Sequence, residues 1–286
     1  MKFSLIQLPI ILLFLICMPL SCVNSQEVKT YANLVQLFHD WRAFEVPPLT
    51  ASGVPDYSAA TFDRRQAEFA DLRAELESFD ITQWPRDHQV DWYIILAEMN
   101  GYDFNYRILQ PWARDPAFYK SIWMSQSDVP AHEGPTHHAV LEVWQYEFPL
   151  SDGAQQKFLA QLKQVGPLMQ QAQVNLTGNA RELWLAGIRP IQQQVNDLET
   201  VRGLVSGLNN SDINAAIDGA ISATQSLVQW LEAESTNKTG PSGLGKDNYT
   251  WYQQNVHLVP LTWEDEVMIL KRELARAWSS LKLEEQ

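Results

Sequence analysis

Apolar side chains recur at helical spacing along nearly the whole chain, and nothing else limits its possible folds so strongly. Tyr31, Leu34, Val35, Phe38 and Trp41 step by three and four; so do Phe62, Phe69, Leu72, Leu76 and Phe79, with one gap, and Val90, Ile94, Ala97, Gly101, Phe104 and Ile108. An α-helix repeats every 3.6 residues, so each set predicts one buried stripe. Between the first two, Val46 to Pro55 carries prolines that lack an N–H and fix φ, which makes it a connector. The region from Pro111 to Pro149 holds five prolines and no sustained period. It reads as a long ordered loop with short helical turns, and loops of that length are uncommon without a purpose.

Helices resume from about Ser151: one to about Ala172, one from about Asn179 to Leu208 with a kink expected at Pro190, and one from Asp212 to Glu234 capped by Ser211. Ile213, Ile217, Ala220, Ile221, Thr224, Leu227, Val228 and Leu231 form the inner face of the third. A further helix begins near Lys246. A last one opens at Thr262, where Asp265 completes a capping box and Glu264, Asp265 and Glu266 meet the positive end of the dipole. Short β pairings between Pro111 and Pro149 stay open, although no Asn-Gly or Asp-Gly hairpin turn is present. The expected class is mainly α: a multi-helix, bundle-like array with a long Pro-rich ordered loop region.

The chain's 286 residues are 45% hydrophobic, enough for a sizeable core, and carry a formal charge of −13 with no run of five basic residues. A nucleic-acid backbone would be repelled, so nucleic acid is not an expected partner. Lys2, the apolar run from Leu5 to about Leu20 and the polar turn after Ser25 read as a signal peptide over residues 1–25. Two readings stay open: cleavage after Ser25, with Val23 and Ser25 as the small residues, or lipid attachment at Cys22, where Pro19 departs from the usual lipobox Leu. Export is expected either way, to the periplasm, the exterior or a lipid anchor on the envelope. Both cysteines, Cys17 and Cys22, lie in this leader, so a chain cleaved after Ser25 has neither disulfides nor thiolate chemistry. Sequons at Asn175, Asn209, Asn237 and Asn248 decide nothing, since such triplets arise by chance.

His132-Glu133-Gly134-Pro135-Thr136-His137-His138 is the one place where His and Glu cluster. A zinc-peptidase helix needs His-Glu-x-x-His, which puts both ligands on one helical face. Here the spacing is five and Gly134-Pro135 interrupts the helix, so these read as loop residues ordered by hydrogen bonds. His39, His88 and His257 are isolated. Gly240-Pro-Ser-Gly-Leu-Gly245 before a helix has the glycines of an anion loop but lacks Gly-Lys-Ser/Thr and a preceding strand, and an interhelical turn is the favoured reading. Tyr249, Trp251 and Tyr252 fit packing against neighbouring helices better than stacking on a ligand. No Gly-x-Ser-x-Gly elbow exists, and no catalytic, cofactor-binding or metal residue is assigned.

Four longer stretches carry a resemblance: Asp128 to Pro135, Asn175 to Trp184, Gly240 to Tyr252 and Asn255 to Trp263. Together they resemble the N-terminal half of the family called domain of unknown function 885, over nearly the whole mature chain. The resemblance implies an exported, mainly helical bacterial scaffold of zinc metallopeptidase type acting on peptides. The family's zinc is expected on a His-Glu-x-x-x-Gly-His-His segment of the C-terminal half, so the resemblance carries no metal ligand or catalytic residue onto this chain.

The Thr262 helix is still amphipathic at Leu283 and meets Gln286 without a cap, so residues 26–286 read as the helical N-terminal part of a larger domain, cut short. The expected function is a scaffold portion of a metallopeptidase-like protein, inactive alone and without a cofactor in this chain. The alternatives are a non-enzymatic helical binding or scaffolding protein of the envelope, and a metalloenzyme using His132, Glu133, His137 and His138. The membrane is a partner only through the N-terminal lipid.

Overall fold

The structure, a computed structural model, describes residues 29–126 and 141–285. Residues 1–28, with Cys17 and Cys22, and the His132 to His138 cluster lie outside the described residues. The architecture is mainly α, as the apolar spacing requires.

Helices α1 (Tyr31–Glu45), α2 (Ala59–Glu77) and α3 (Arg86–Phe104) enclose one hydrophobic cluster. From α1 come Leu34, Leu37, Trp41 and Phe44, from α2 Phe69 and Leu76, and from α3 Ile95 and Met99. Val35, Val90 and Ile94, expected on inner stripes, are instead 40%, 49% and 45% exposed. For Val90 and Ile94, both on α3, the reason is a register that periodicity does not contain. The Trp92 indole N–H bonds the Leu76 carbonyl at 2.9 Å and an Arg73 guanidinium N–H bonds the Asn100 side-chain oxygen at 2.7 Å, which turns Ile95 and Met99 inward. A π-helical turn, Asn105–Leu109, closes α3 on Gln110 at φ 43°.

The proline-rich stretch folds into the short α4 (Pro111–Arg114), a 3-10 turn at Pro116–Tyr119, and two-residue strands β1 (Ile122–Trp123) and β2 (Leu141–Glu142). The strands pair in parallel, Ile122 with Leu141, and a parallel pair needs a crossover rather than a hairpin turn. Tyr119, Ile122 and Leu141 are fully buried in the second, larger cluster.

That cluster belongs to α5 (Asp152–Asn175), α6 (Arg181–Val205) and α7 (Ser211–Glu234). Pro167 and Pro190 both lie within continuous helices. The predicted inner face of α7 is buried, with Val228 packed at its edge. Its cap is a correction: Asn210, not Ser211, accepts from the Asp212 and Ile213 amides at 3.1 and 3.2 Å. At the centre Gln194, fully buried, accepts from the Ser121 and Ile122 amides at 2.6 and 3.1 Å and donates to the Thr224 hydroxyl at 3.1 Å. A short α8 (Lys246–Asn255) leads to α9 (Trp263–Glu284), whose Thr262/Asp265 capping box is formed as read from the sequence. Among the described residues no helix is long and apolar enough to cross a membrane.

Candidate functional site

Between the two clusters lies a cleft of about 490 Å³. Its floor is α3, which lines it with Ile94, Ala97 and Gly101. Opposite stand Val256 to Val259, the segment that follows α8; a Cβ on Gly101 would meet Val256 Cγ1 at 3.3 Å. Aromatic rings close the sides. Phe62 stacks on Trp112 at 3.7 Å, Tyr57 meets Phe118 edge-on at 4.8 Å, and Tyr252 packs 4.9 Å from Phe104. Clefts of this size, apolar with a few polar groups, are the usual form of small-molecule sites.

Glu45 and Glu98 at the cleft are held by one guanidinium. Glu98 accepts from the Trp41 indole N–H at 3.1 Å and from Arg42 at 2.8 Å, and Arg42 also bonds Glu45 at 2.6 Å. Arg65 lies 4.2 Å from the centroid of the Phe44 ring and reaches the Val46 carbonyl at 3.4 Å. Burial pushes the Tyr102 phenol up to about 12, and its hydroxyl has no hydrogen-bond partner among the described residues. Leu258, at the rim, has φ +57°, a left-handed conformation that a branched side chain rarely adopts, and is 46% exposed.

The glycine-rich loop is a latch on α6. Ala180, at the α6 N-cap, offers no side-chain oxygen, and the Ser242 hydroxyl supplies it from afar, accepting from the Glu182 and Leu183 amides at 2.9 and 3.0 Å. The Asn179 side-chain oxygen accepts from the Thr239 and Gly240 amides at 2.7 and 2.8 Å, and the Gly240 carbonyl accepts from the Arg181 amide at 3.0 Å. Lys238 donates to the Gly178 carbonyl and sits 3.9 Å from the centroid of the Trp184 ring; burial lowers its pKa. The loop amides at 239 and 240 are thus spent on protein groups, in keeping with the interhelical-turn reading. Of 240 to 252, only Tyr252 lines the cleft. Trp251 stacks on Phe104 at 5.5 Å and Tyr249 donates to Glu266, so these aromatics pack as expected.

The three described histidines are not gathered. His88 stacks on Tyr31 at 3.6 Å, His39 lies beside Phe38, and His257 approaches Gln253 at 3.2 Å with its ring against Tyr252. Among the described residues no group of three or more His, Cys, Asp or Glu is placed to hold a metal ion. Those residues therefore do not fit a zinc site.

Several cleft residues stand out in the sequence for other reasons: Ile94, Ala97 and Gly101 lie on one helical stripe, Tyr252 in an aromatic run, and His257 alone. The signal that could have joined them is the pair of small residues on the α3 stripe, which lets the segment after α8 come close to the helix.

A family model described as bacterial protein of unknown function (DUF885) matches residues 47–280. No curated protein matches the chain. A solved structure from Shewanella oneidensis, described as a "putative lipoprotein of unknown function", is similar at TM-score 0.58 and 16% identity, over 86% of this chain and 46% of that one. The chain thus spans about half the length of that structure, and the likeness at this identity concerns the fold.

Proposed function

We propose, on the premise that this chain belongs to the DUF885 family, that it is the helical framework of a larger exported protein of zinc metallopeptidase type, providing one wall of a cleft whose hydrolytic groups lie on further polypeptide. The observation that carries this reading is α9. No residue of this 22-residue helix is buried, and Leu270, Leu274, Trp278 and Leu281 are 65%, 59%, 55% and 47% exposed. Their spacing makes one stripe at three- and four-residue steps, the pattern of a helix seam awaiting a partner. A second polypeptide layer on α9 would bury that stripe, and the similar Shewanella structure has about as much chain again as the part this one matches. Export, and a tether at Cys22, would put the assembly in the cell envelope.

The test uses the mature chain alone and then together with the polypeptide encoded beyond Gln286. Alone it should self-associate through α9, a tendency abolished by Leu274→Ser with Trp278→Ser, and should hydrolyse no peptide. Adding the further polypeptide should relieve the association and bring zinc-dependent hydrolysis. Chelator-sensitive proteolysis by this chain alone would sink the proposal, as would a stop codon directly after Gln286. The mass of the mature N-terminus separates cleavage before Gln26 from lipid on Cys22.

A self-sufficient helical binding protein is the second reading, favoured by two hydrophobic clusters that are filled without any contribution from α9. It predicts a monodisperse product with one cooperative melt.

A further inference from the structure

We propose that the cleft between the two clusters binds a molecule with an aliphatic body and a carboxylate, and that Arg65 receives the carboxylate. This adds a ligand chemistry to the cleft described above. It needs only residues of this chain, so it stands or falls apart from any layer on α9.

The guanidinium carries the argument. The chain has 34 acidic and 21 basic residues, so carboxylates are not scarce. Arg42 bonds two of them, Glu45 at 2.6 Å and Glu98 at 2.8 Å, and both of these line the cleft. Arg65 lines the same cleft and has no carboxylate partner among the described residues. One of its N–H groups reaches the Val46 carbonyl at 3.4 Å, which is long for such a bond, and the guanidinium lies over the Phe44 ring at 4.2 Å. A guanidinium carries five N–H donors in a rigid planar fork that matches a carboxylate. Contact with the ring steadies the group and leaves donors of the fork open. Two parallel charge-assisted bonds from such a fork to one carboxylate are among the stronger polar contacts a protein makes.

The pairs already formed set the preference. Glu98 accepts from Arg42 and from the Trp41 indole, and Glu45 also bonds Arg42, so an incoming ammonium finds both carboxylates committed. An incoming carboxylate finds Arg65, the one Arg or Lys among the described lining residues. The rest of the ligand is apolar carbon. Ile94 and Ala97 on α3, and Val256, Leu258 and Val259 after α8, border the same space, with Ile94 and Leu258 45% and 46% exposed. Covering these side chains supplies the apolar share of the binding, and the charged contact fixes the orientation. About 490 Å³ lies within the range of roughly 300–1,000 Å³ usual for small-molecule sites.

The carboxylate can be the C-terminus of a peptide or belong to a non-peptide acid, and the probes separate these sources. The mature chain, residues 26–286, is titrated by calorimetry at neutral pH with N-acetyl-Leu-Leu and with octanoate, with the amide of each, and with octylamine. The readout is binding alone, so its result depends neither on zinc nor on further polypeptide. One-to-one binding is expected for at least one acid, about tenfold or more tighter than its amide and than octylamine. Tighter binding of N-acetyl-Leu-Leu supports the proposal with a peptide terminus as the source, and tighter binding of octanoate supports it with a non-peptide acid. Arg65→Met keeps an apolar stem and removes the fork, so the acid should fall to the level of its amide while the amide binds as before. Arg64→Met, at a side chain 67% exposed and outside the lining, should leave the preference intact. Binding of neither acid overturns the proposal, as does equal affinity for acid and amide, octylamine matching octanoate, survival of the acid preference in Arg65→Met, or its equal loss in Arg64→Met.

Discussion

Replacing Gly240 by Ala tests whether the glycine-rich loop is a latch or a ligand cradle. A Cβ at Gly240 would lie 2.2 Å from the Asn179 carbonyl oxygen and 3.0 Å from its Cγ, both well inside contact distance. The loop would have to retreat by roughly 1 Å. That retreat strains the Thr239 and Gly240 amide bonds to Asn179, the Arg181 amide bond to Gly240, and the two bonds by which Ser242 caps α6. At a net ~0.5–1.5 kcal/mol each, losing about half of this set with the strain costs about 2–4 kcal/mol. Gly243 is the control, because a Cβ there meets nothing within 4 Å and its φ is not in the left-handed region. Gly243→Ala should be neutral or stabilise by up to about 0.5 kcal/mol through the unfolded chain. Urea unfolding followed by tryptophan fluorescence reads both, with the slope unchanged and the midpoint lower for Gly240→Ala alone. Equal midpoints for the two variants would refute the latch.

Three more predictions use the same unfolding assay or its local counterpart. Gln194→Ala leaves the Ser121 and Ile122 amides without an acceptor in a dry core and should cost about 3–5 kcal/mol, whereas Gln193→Ala, exposed one residue away, should stay within about 0.5 kcal/mol; similar losses would mean that the network is not what matters. Tyr102→Phe removes a hydroxyl buried without a partner and should stabilise by about 1 kcal/mol, and a clear loss of stability would show that the hydroxyl is bonded in solution. The Thr262 hydroxyl and amide bonds hold the Asp265 carboxyl below its ordinary 3.8, so the α9 cap is fully present above that pH and is lost as pH falls through the lower folded value. Protection of the amides at the start of α9, taken relative to the intrinsic exchange rate, should fall over that acid window, and Asp265→Asn should remove this fall.

Legibility in the sequence followed distance along the chain. The Thr262/Asp265 box and the inner face of α7 were readable because capping and a 3.6-residue stripe involve neighbours within a few residues. On α3 the same rule failed in one detail: two stripes overlap, and contacts with α2 chose Ile95 and Met99 for the core while leaving Val90 and Ile94 outside. Gln194 sits in a run of glutamines that reads as a solvated face, and only the approach of Ser121 and Ile122 makes burial of its amide tolerable.

The linear order of residues by itself determined that this protein is helical, where most helices begin, and that a glycine-rich turn precedes α8, since backbone hydrogen bonding and side-chain period are local properties. Tertiary structure alone decided that Ser242 caps a helix some sixty residues away, that Ala97 and Gly101 face a cleft rather than a core, and that α9 presents its apolar stripe to water. Each of these depends on which distant groups meet, and the free energy of such meetings is set by packing between elements rather than by any pattern within one.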